Sequence, residues 1–335
     1  MRGIMSALLH PLTLLAIILV GYIFKRTHIF GQRDYRVIQR IVFNLTLPCA
    51  IIVSFATREH DNTLLWISLF GLFCGFLPTP FLFWISRKRP VRERAFLMLN
   101  GAGFNIGNFC FPVMQGLLGP ASLVPGAMFD VGNCVVVSAG NNLLTQRLLH
   151  IDPERPLHEQ NPGSAPTLPY RKPTDPDARR LARRATLRSI AKGFFTSVPF
   201  DTYIIMIVLM LANVHLPQWI PQVLDPVAQA NGFCSMLMVG MLMELPSTKL
   251  ETTEVLRVVL LRIPFAILFA LISWYIMPFD DITRKALVML SLAPTSVFGT
   301  LFSDRVLDNA RMAGFCMSIT AIIGLAAMTG VNILL

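Results

Sequence analysis

The sequence predicts an all-α membrane protein of ten transmembrane helices, arranged as two inverted five-helix repeats with discontinuous, crossing helices at positions four and nine. Three observations predict it. Hydrophobic residues make up 54% of the 335-residue chain and charged ones only 14%, with mean hydropathy +0.58, far more apolar than a soluble domain. Ten apolar stretches approach the roughly 20 residues that a helix needs to cross a bilayer. Two of these are interrupted by Gly, Asn, Ser, Thr or Pro at corresponding places in the two halves, and matched interruptions are a strong pointer to a carrier's binding site.

The stretches cover residues 6–24, 37–55, 64–85, 96–118, 124–144, 200–214, 227–245, 255–276, 286–301 and 313–335. The first is too long for the apolar core of a secretory leader, shows no A-x-A cleavage pattern and is followed by Lys25 and Arg26. It is expected to remain as a span. Lys25, Arg26, Arg33 and Arg36 follow the first stretch, and Arg87, Lys88, Arg89, Arg92 and Arg94 follow the third. Arg171, Lys172, Arg179, Arg180, Arg183, Arg184, Arg188 and Lys192 follow the fifth, whereas the even loops carry few cations. The positive-inside rule then makes the odd loops cytoplasmic and puts both termini on the non-cytoplasmic side of the inner (cytoplasmic) membrane. The net charge of +10 is thus an orientation signal, and no nucleic-acid partner is expected.

Residues 1–149 form the expected N-terminal repeat, 150–192 a basic cytoplasmic linker and 193–335 the C-terminal repeat. An odd number of crossings per block forces opposite orientations on the two blocks. Within and just after the linker, residues 178–195 have helical spacing with a basic face, which suits the membrane surface. Asn44-Leu45-Thr46-Leu47-Pro48 in the second stretch corresponds in place to Asn231-Gly232-Phe233-Cys234-Ser235 in the seventh.

The fourth stretch reads Gly101-Ala102-Gly103-Phe104-Asn105-Ile106-Gly107-Asn108-Phe109-Cys110-Phe111-Pro112, and the ninth Leu292-Ala293-Pro294-Thr295-Ser296-Val297-Phe298-Gly299-Thr300. Unwound backbone in hydrocarbon costs several kcal/mol per open group, so both breaks belong inside the protein. Free N–H groups and positive dipole ends at such breaks suit an anion. Asn105 and Asn108, three residues apart, are candidates to hold a carboxylate. The alternative is a close-packed Gly103-x-x-x-Gly107 helix contact with the asparagines as glue. Pro294, Thr295, Ser296 and Thr300 offer a missing donor and hydroxyls, to bind a substrate or to repair the kink locally.

Asp130 is the one carboxylate clearly within a stretch, and Asn133, Val137 and Asn141 continue its face. A support role is expected, with proton coupling as the alternative. The six cysteines lie in apolar stretches without C-x-x-C spacing, and no two histidines pair at helical spacing. No metal site, cofactor site or catalytic motif is expected.

These elements together resemble the auxin efflux carrier family, whose bacterial members include malonate and other organic-acid permeases. The similar segments are Asn44 to Pro48, Asn105-x-Gly107 through Pro112, Asp130-Val131-x-Asn133 and Ala293-Pro294, in an order that runs nearly end to end. The resemblance implies the same broken-helix fold as bile-acid symporters, crossing at the prolines, with elevator-type alternating access. It carries Asn105, Pro112, Asp130, Asn133 and Pro294 into the substrate-proximal set. Cys110 and Asn108 depart from the pattern, which bears on pocket size, and the short linker points to a prokaryotic type. The reading is a carrier of a small organic anion, a carboxylate or dicarboxylate, with membrane lipids, a coupling H+ or Na+ and a homodimer as expected partners. A sodium-coupled bile-acid-type symporter and a non-transporting ligand sensor are the alternatives.

Overall fold

The computed structural model describes residues 2–31, 33–56, 62–169, 198–246 and 248–335. These residues form helices and connecting turns, with no strand among them. The helices are α1 (Arg2–Arg26), α2 (Tyr35–Ala56), α3 (Leu65–Ile85), α4 (Val91–Gly101), α5 (Ile106–Leu118), α6 (Leu123–Leu149), α7 (Val198–Leu211), α8 (Trp219–Leu242), α9 (Lys249–Tyr275), α10 (Asp281–Ser291), α11 (Val297–Leu307) and α12 (Ala310–Leu334). Six helices are long and apolar enough to cross a membrane: α2, α3, α6, α9, α12 and the Leu9–Arg26 part of α1. The basic helix expected over 178–195 lies outside the described residues.

Both interruptions are real. The fourth stretch is divided into α4 and α5, and the ninth into α10 and α11. Glycine explains the first division: Gly103 has φ +76°, a conformation costly for other residues, and a Cβ there would lie 2.5 Å from Val137. Pro294, without an N–H, occupies the second. The breaks are buried as expected, with Asn105 at 3% and Thr295 at 1% exposure.

Two helix pairs approach more closely than side chains ordinarily allow. A Cβ on Gly71 of α3 would fall 2.1 Å from the Phe129 carbonyl oxygen of α6, and one on Gly132 of α6 would fall 1.9 Å from that of Ser68. Gly21 of α1 and Gly240 of α8 make the same reciprocal contact, facing the Leu237 and Ile18 carbonyls. In lipid, where apolar burial gives helices no reason to associate, such backbone-to-backbone packing is what binds them. α1 and α2 pack against α8, and α7 packs against α2 and α6, whereas α4 and α5, α9 to α12, α3 and α6 surround the breaks.

Arg94, read from sequence as a topology charge, is 2% exposed. It donates to the Pro166 carbonyl at 2.5 Å and the Phe83 carbonyl at 3.0 Å, and its guanidinium lies over the Phe83 ring. Burial lowers its pKa from the ordinary arginine value. Leu149, Ile151, Leu157 and Leu168 pack into the same apolar cluster as Val91 and Ala95, so the start of the linker is a fitted cap and not a loose tether.

Candidate functional site

The two breaks touch. The Asn105 backbone N–H donates to the Pro294 carbonyl at 3.0 Å, joining the start of α5 to the segment between α10 and α11. Four helix ends therefore converge: the C-termini of α4 and α10, and the N-termini of α5 and α11.

On the α5 side, Asn133 of α6 holds the unwound backbone with a two-point clamp. Its Oδ1 accepts from the Phe104 N–H at 3.0 Å and its Nδ2 donates to the Phe104 carbonyl at 2.9 Å. Nδ2 also donates to Asp130 Oδ1 at 2.9 Å, and the Tyr203 hydroxyl of α7 donates to Asp130 Oδ2 at 2.8 Å. Asp130 thus orients Asn133, and Asn133 supplies the bonds that the broken helix lacks. On the α11 side, the Thr295 N–H donates to the Thr320 hydroxyl at 3.2 Å, and Ser296 Oγ caps α11 by accepting from the Phe298 N–H.

A cavity of about 40 Å³ lies beside the crossing, lined by Asn105, Asn108, Asp130, Asn133 and Ser296, with Tyr203 and Phe298 among its other walls. Asn105 Nδ2 and Asn108 Oδ1 are buried there without a hydrogen-bond partner. A buried amide atom left unpaired costs about 1–3 kcal/mol, so a native pair of them needs an explanation. Three helix segments at or near this cavity are wound as π-turns, Val42–Thr46, Ile106–Cys110 and Val136–Gly140, a local geometry that is rare and frequent at functional sites.

Five of the eight residues singled out from sequence, Asn105, Asn108, Asp130, Asn133 and Ser296, line this one cavity. Pro294 contributes its carbonyl to the crossing, and Thr295 turns to Thr320, repairing the break. Pro112 is away from the crossing: it stands in the first turn of the Phe111–Leu118 segment, with His10 Nε2 at 3.1 Å from its carbonyl. Asn141 also turns away, donating to the Met98 carbonyl at 2.9 Å. The π-turn at Val136–Gly140 shifts its face relative to that of Asp130.

Tyr203 and Arg262 belong to this centre without having been singled out. Arg262, half-buried in α9, donates to the carbonyls of Gly103 at 3.0 Å, Gly101 at 3.2 Å and Ala293 at 2.9 Å, so one guanidinium closes the C-terminal ends of both broken helices. The sequence signal for Arg262 was a cation well inside an apolar stretch. Tyr203 carried none.

The family model named Membrane transport protein matches residues 7–331 of this chain. The chain belongs to this auxin efflux carrier family. This transport-family member is also similar to an uncharacterized transporter of Methanothermobacter thermautotrophicus, 26% identical over 138 residues. That match covers 40% of this chain and 46% of the relative, so it spans less than half the relative's length. The family is one of membrane transport, and six helices among the described residues are long and apolar enough to cross a membrane. Among the described residues no group of three His, Cys, Asp or Glu side chains is close enough to hold a metal ion.

Proposed function

We propose that the protein is a secondary carrier of a small organic anion, a carboxylate or dicarboxylate, whose binding pocket is the cavity at the helix crossing. The observation that carries this reading is the unpartnered amide donor Asn105 Nδ2, buried where the N-termini of α5 and α11 converge. Each N-terminus contributes about half a positive charge, and Asn105 Nδ2 adds a directed hydrogen bond, a combination suited to a carboxylate, while Asn108 Oδ1 only accepts and serves a donor group of the substrate. Asp130 acts through Asn133, holding the α5 break open at the right place, and Ser296 shapes the opposite wall.

The placement of the breaks also supports a ten-span, inverted-repeat reading. α4 with α5 occupies the fourth place in the first block of helices, and α10 with α11 the fourth place in the second. The set α1, α2, α7 and α8, joined in a row through α8 and α2, serves as scaffold, and the helices around the breaks as the moving part. A cavity of about 40 Å³ has room for about three waters at roughly 10–15 Å³ each. A dicarboxylate is larger, so entry requires the wall made by Phe43, Leu47 and Tyr203 to separate from the crossing, as an elevator-type movement would do. The cytoplasmic membrane, with both termini outside, is the location consistent with the sorting of cations among the loops.

Uptake of labelled malonate and related dicarboxylates into proteoliposomes, with and without imposed proton or sodium gradients, tests this reading. Saturable uptake that is lost in Asn105→Ala supports it. Saturable binding without flux into the vesicles would identify a sensor and overturn it.

A further inference from the structure

Arg262, half-buried, sets its charge among backbone carbonyls. Its Nη1 donates to Gly103 and Gly101 and reaches the Asn100 carbonyl at 3.5 Å, and its Nη2 donates to Ala293. No carboxylate among the described residues forms an ion pair with it. What answers its charge is the pair of helix ends: the C-termini of α4 and α10 each carry about half a negative charge, together about one. The match is one cation to one cradle of hard oxygen atoms.

Such a cradle, unwound carbonyls at the C-terminal ends of half-helices, is the environment in which broken-helix carriers coordinate sodium. We infer that Arg262 is a resident substitute for a coupling cation, occupying a carbonyl cradle between α4 and α10 that would otherwise take a small monovalent ion such as Na+. Three further observations fit. The guanidinium also lies over the Phe104 ring at 5.3 Å, a contact that fixes its position beside the break. The cavity next to it, about 240 Å³, is lined by Gly101, Gly103, Ala293, Ser291 and Thr320, which leaves room beside the cradle. Finally, Arg262 bridges the two broken helices on the side opposite their N-termini, so it fixes the crossing without touching the cavity lined by Asn105 and Asn108.

The consequence is a carrier that does not need sodium. That consequence rests on the carrier reading, but its test does not, because it measures melting temperature without any substrate. Purified wild-type protein, Arg262→Ala, Arg262→Gln and Arg262→Lys are melted in sodium chloride and in choline chloride at equal ionic strength. Wild type and Arg262→Lys are expected to melt at the same temperature in both salts. Arg262→Ala and Arg262→Gln are expected to melt lower in choline and to recover by about 3 °C or more in sodium, as a newly opened ion site requires.

Several outcomes overturn the inference. Sodium-dependent stabilisation of the wild type would show that Arg262 does not occupy the ion's place. Neutral variants that melt identically in both salts, or that fold in neither, would show that the carbonyls do not form a cation cradle. A sodium response in Arg262→Lys equal to that of Arg262→Ala would do the same, since a retained charge should exclude the ion.

Discussion

The Asn105 N–H donates to the Pro294 carbonyl across 3.0 Å, so the two interrupted helices are bonded to each other by their main chains. The bond uses only backbone atoms of Asn105 and leaves its side-chain amide directed into the cavity, with Nδ2 unpartnered. Structure and binding are thus divided within one residue: its backbone holds the crossing and its side chain is free for a ligand.

Asn105→Ala is therefore expected to leave the melting temperature within experimental error or raise it, because the buried atom that it removes has no partner to lose. Uptake should fall roughly ten- to hundredfold, the value of one hydrogen bond to a charged group. Melting curves and proteoliposome uptake on the same preparation check both halves.

Asn133→Leu should show the converse. It removes the acceptor and donor that satisfy both polar groups of Phe104 and leaves Asp130 Oδ1 without its bond. Two orphaned backbone groups at about 1–3 kcal/mol each imply a loss of about 2–6 kcal/mol, visible as a markedly lower midpoint in chemical denaturation. Tyr203→Phe removes one bond to the same carboxylate and should cost less, about 1.5–3 kcal/mol.

Gly240→Ala places a Cβ 2.0 Å from the Ile18 carbonyl oxygen, where two backbones face each other and neither can yield. A loss of at least about 2 kcal/mol is expected from the forced separation of α1 and α8. Gly330→Ala, in α12 with nothing within 4 Å of the new Cβ, should instead stabilise by about 0.5–1 kcal/mol through helix propensity. Thermal melts of the two variants side by side test the contrast.

Arg94→Ala should release the linker cap. Without its donors to Pro166 and Phe83, the segment up to Leu168 loses its polar anchor while its leucines stay apolar. Limited proteolysis of the region around residues 152–166 is expected to quicken several-fold, with the helices around the breaks still protected. Unchanged cleavage would show that apolar packing alone holds the cap.

Much of this centre could be read from residue types. Gly103 and Pro294 announce the breaks because no other residues tolerate those backbone states so cheaply, and Asp130 with Asn133 three residues on is legible as one helical face. What the chain hides is tertiary. Tyr203 reaches Asp130 from the other half of the sequence, and an isolated tyrosine in an apolar stretch carries no sign of its partner. Arg262 did carry a sign, an uncompensated charge amid leucine and isoleucine, but its ligands are carbonyls, which every residue possesses. Pro112 lies within α5, directly after the π-turn Ile106–Cys110, so its missing donor falls at that turn and not at the break between α4 and α5. The π-turns also escape a 3.6-residue reading, and the one at Val136–Gly140 turns Asn141 to Met98 instead of the cavity.

The most direct test of the pocket at the crossing is a melting-temperature screen of purified wild type and the Asn105→Ala, Asn108→Ala double variant against a panel of small carboxylates and dicarboxylates. The account predicts that at least one compound raises the melting temperature of the wild type in a concentration-dependent way and has no effect on the double variant. Equal stabilisation of both proteins would place the anion elsewhere and contradict it.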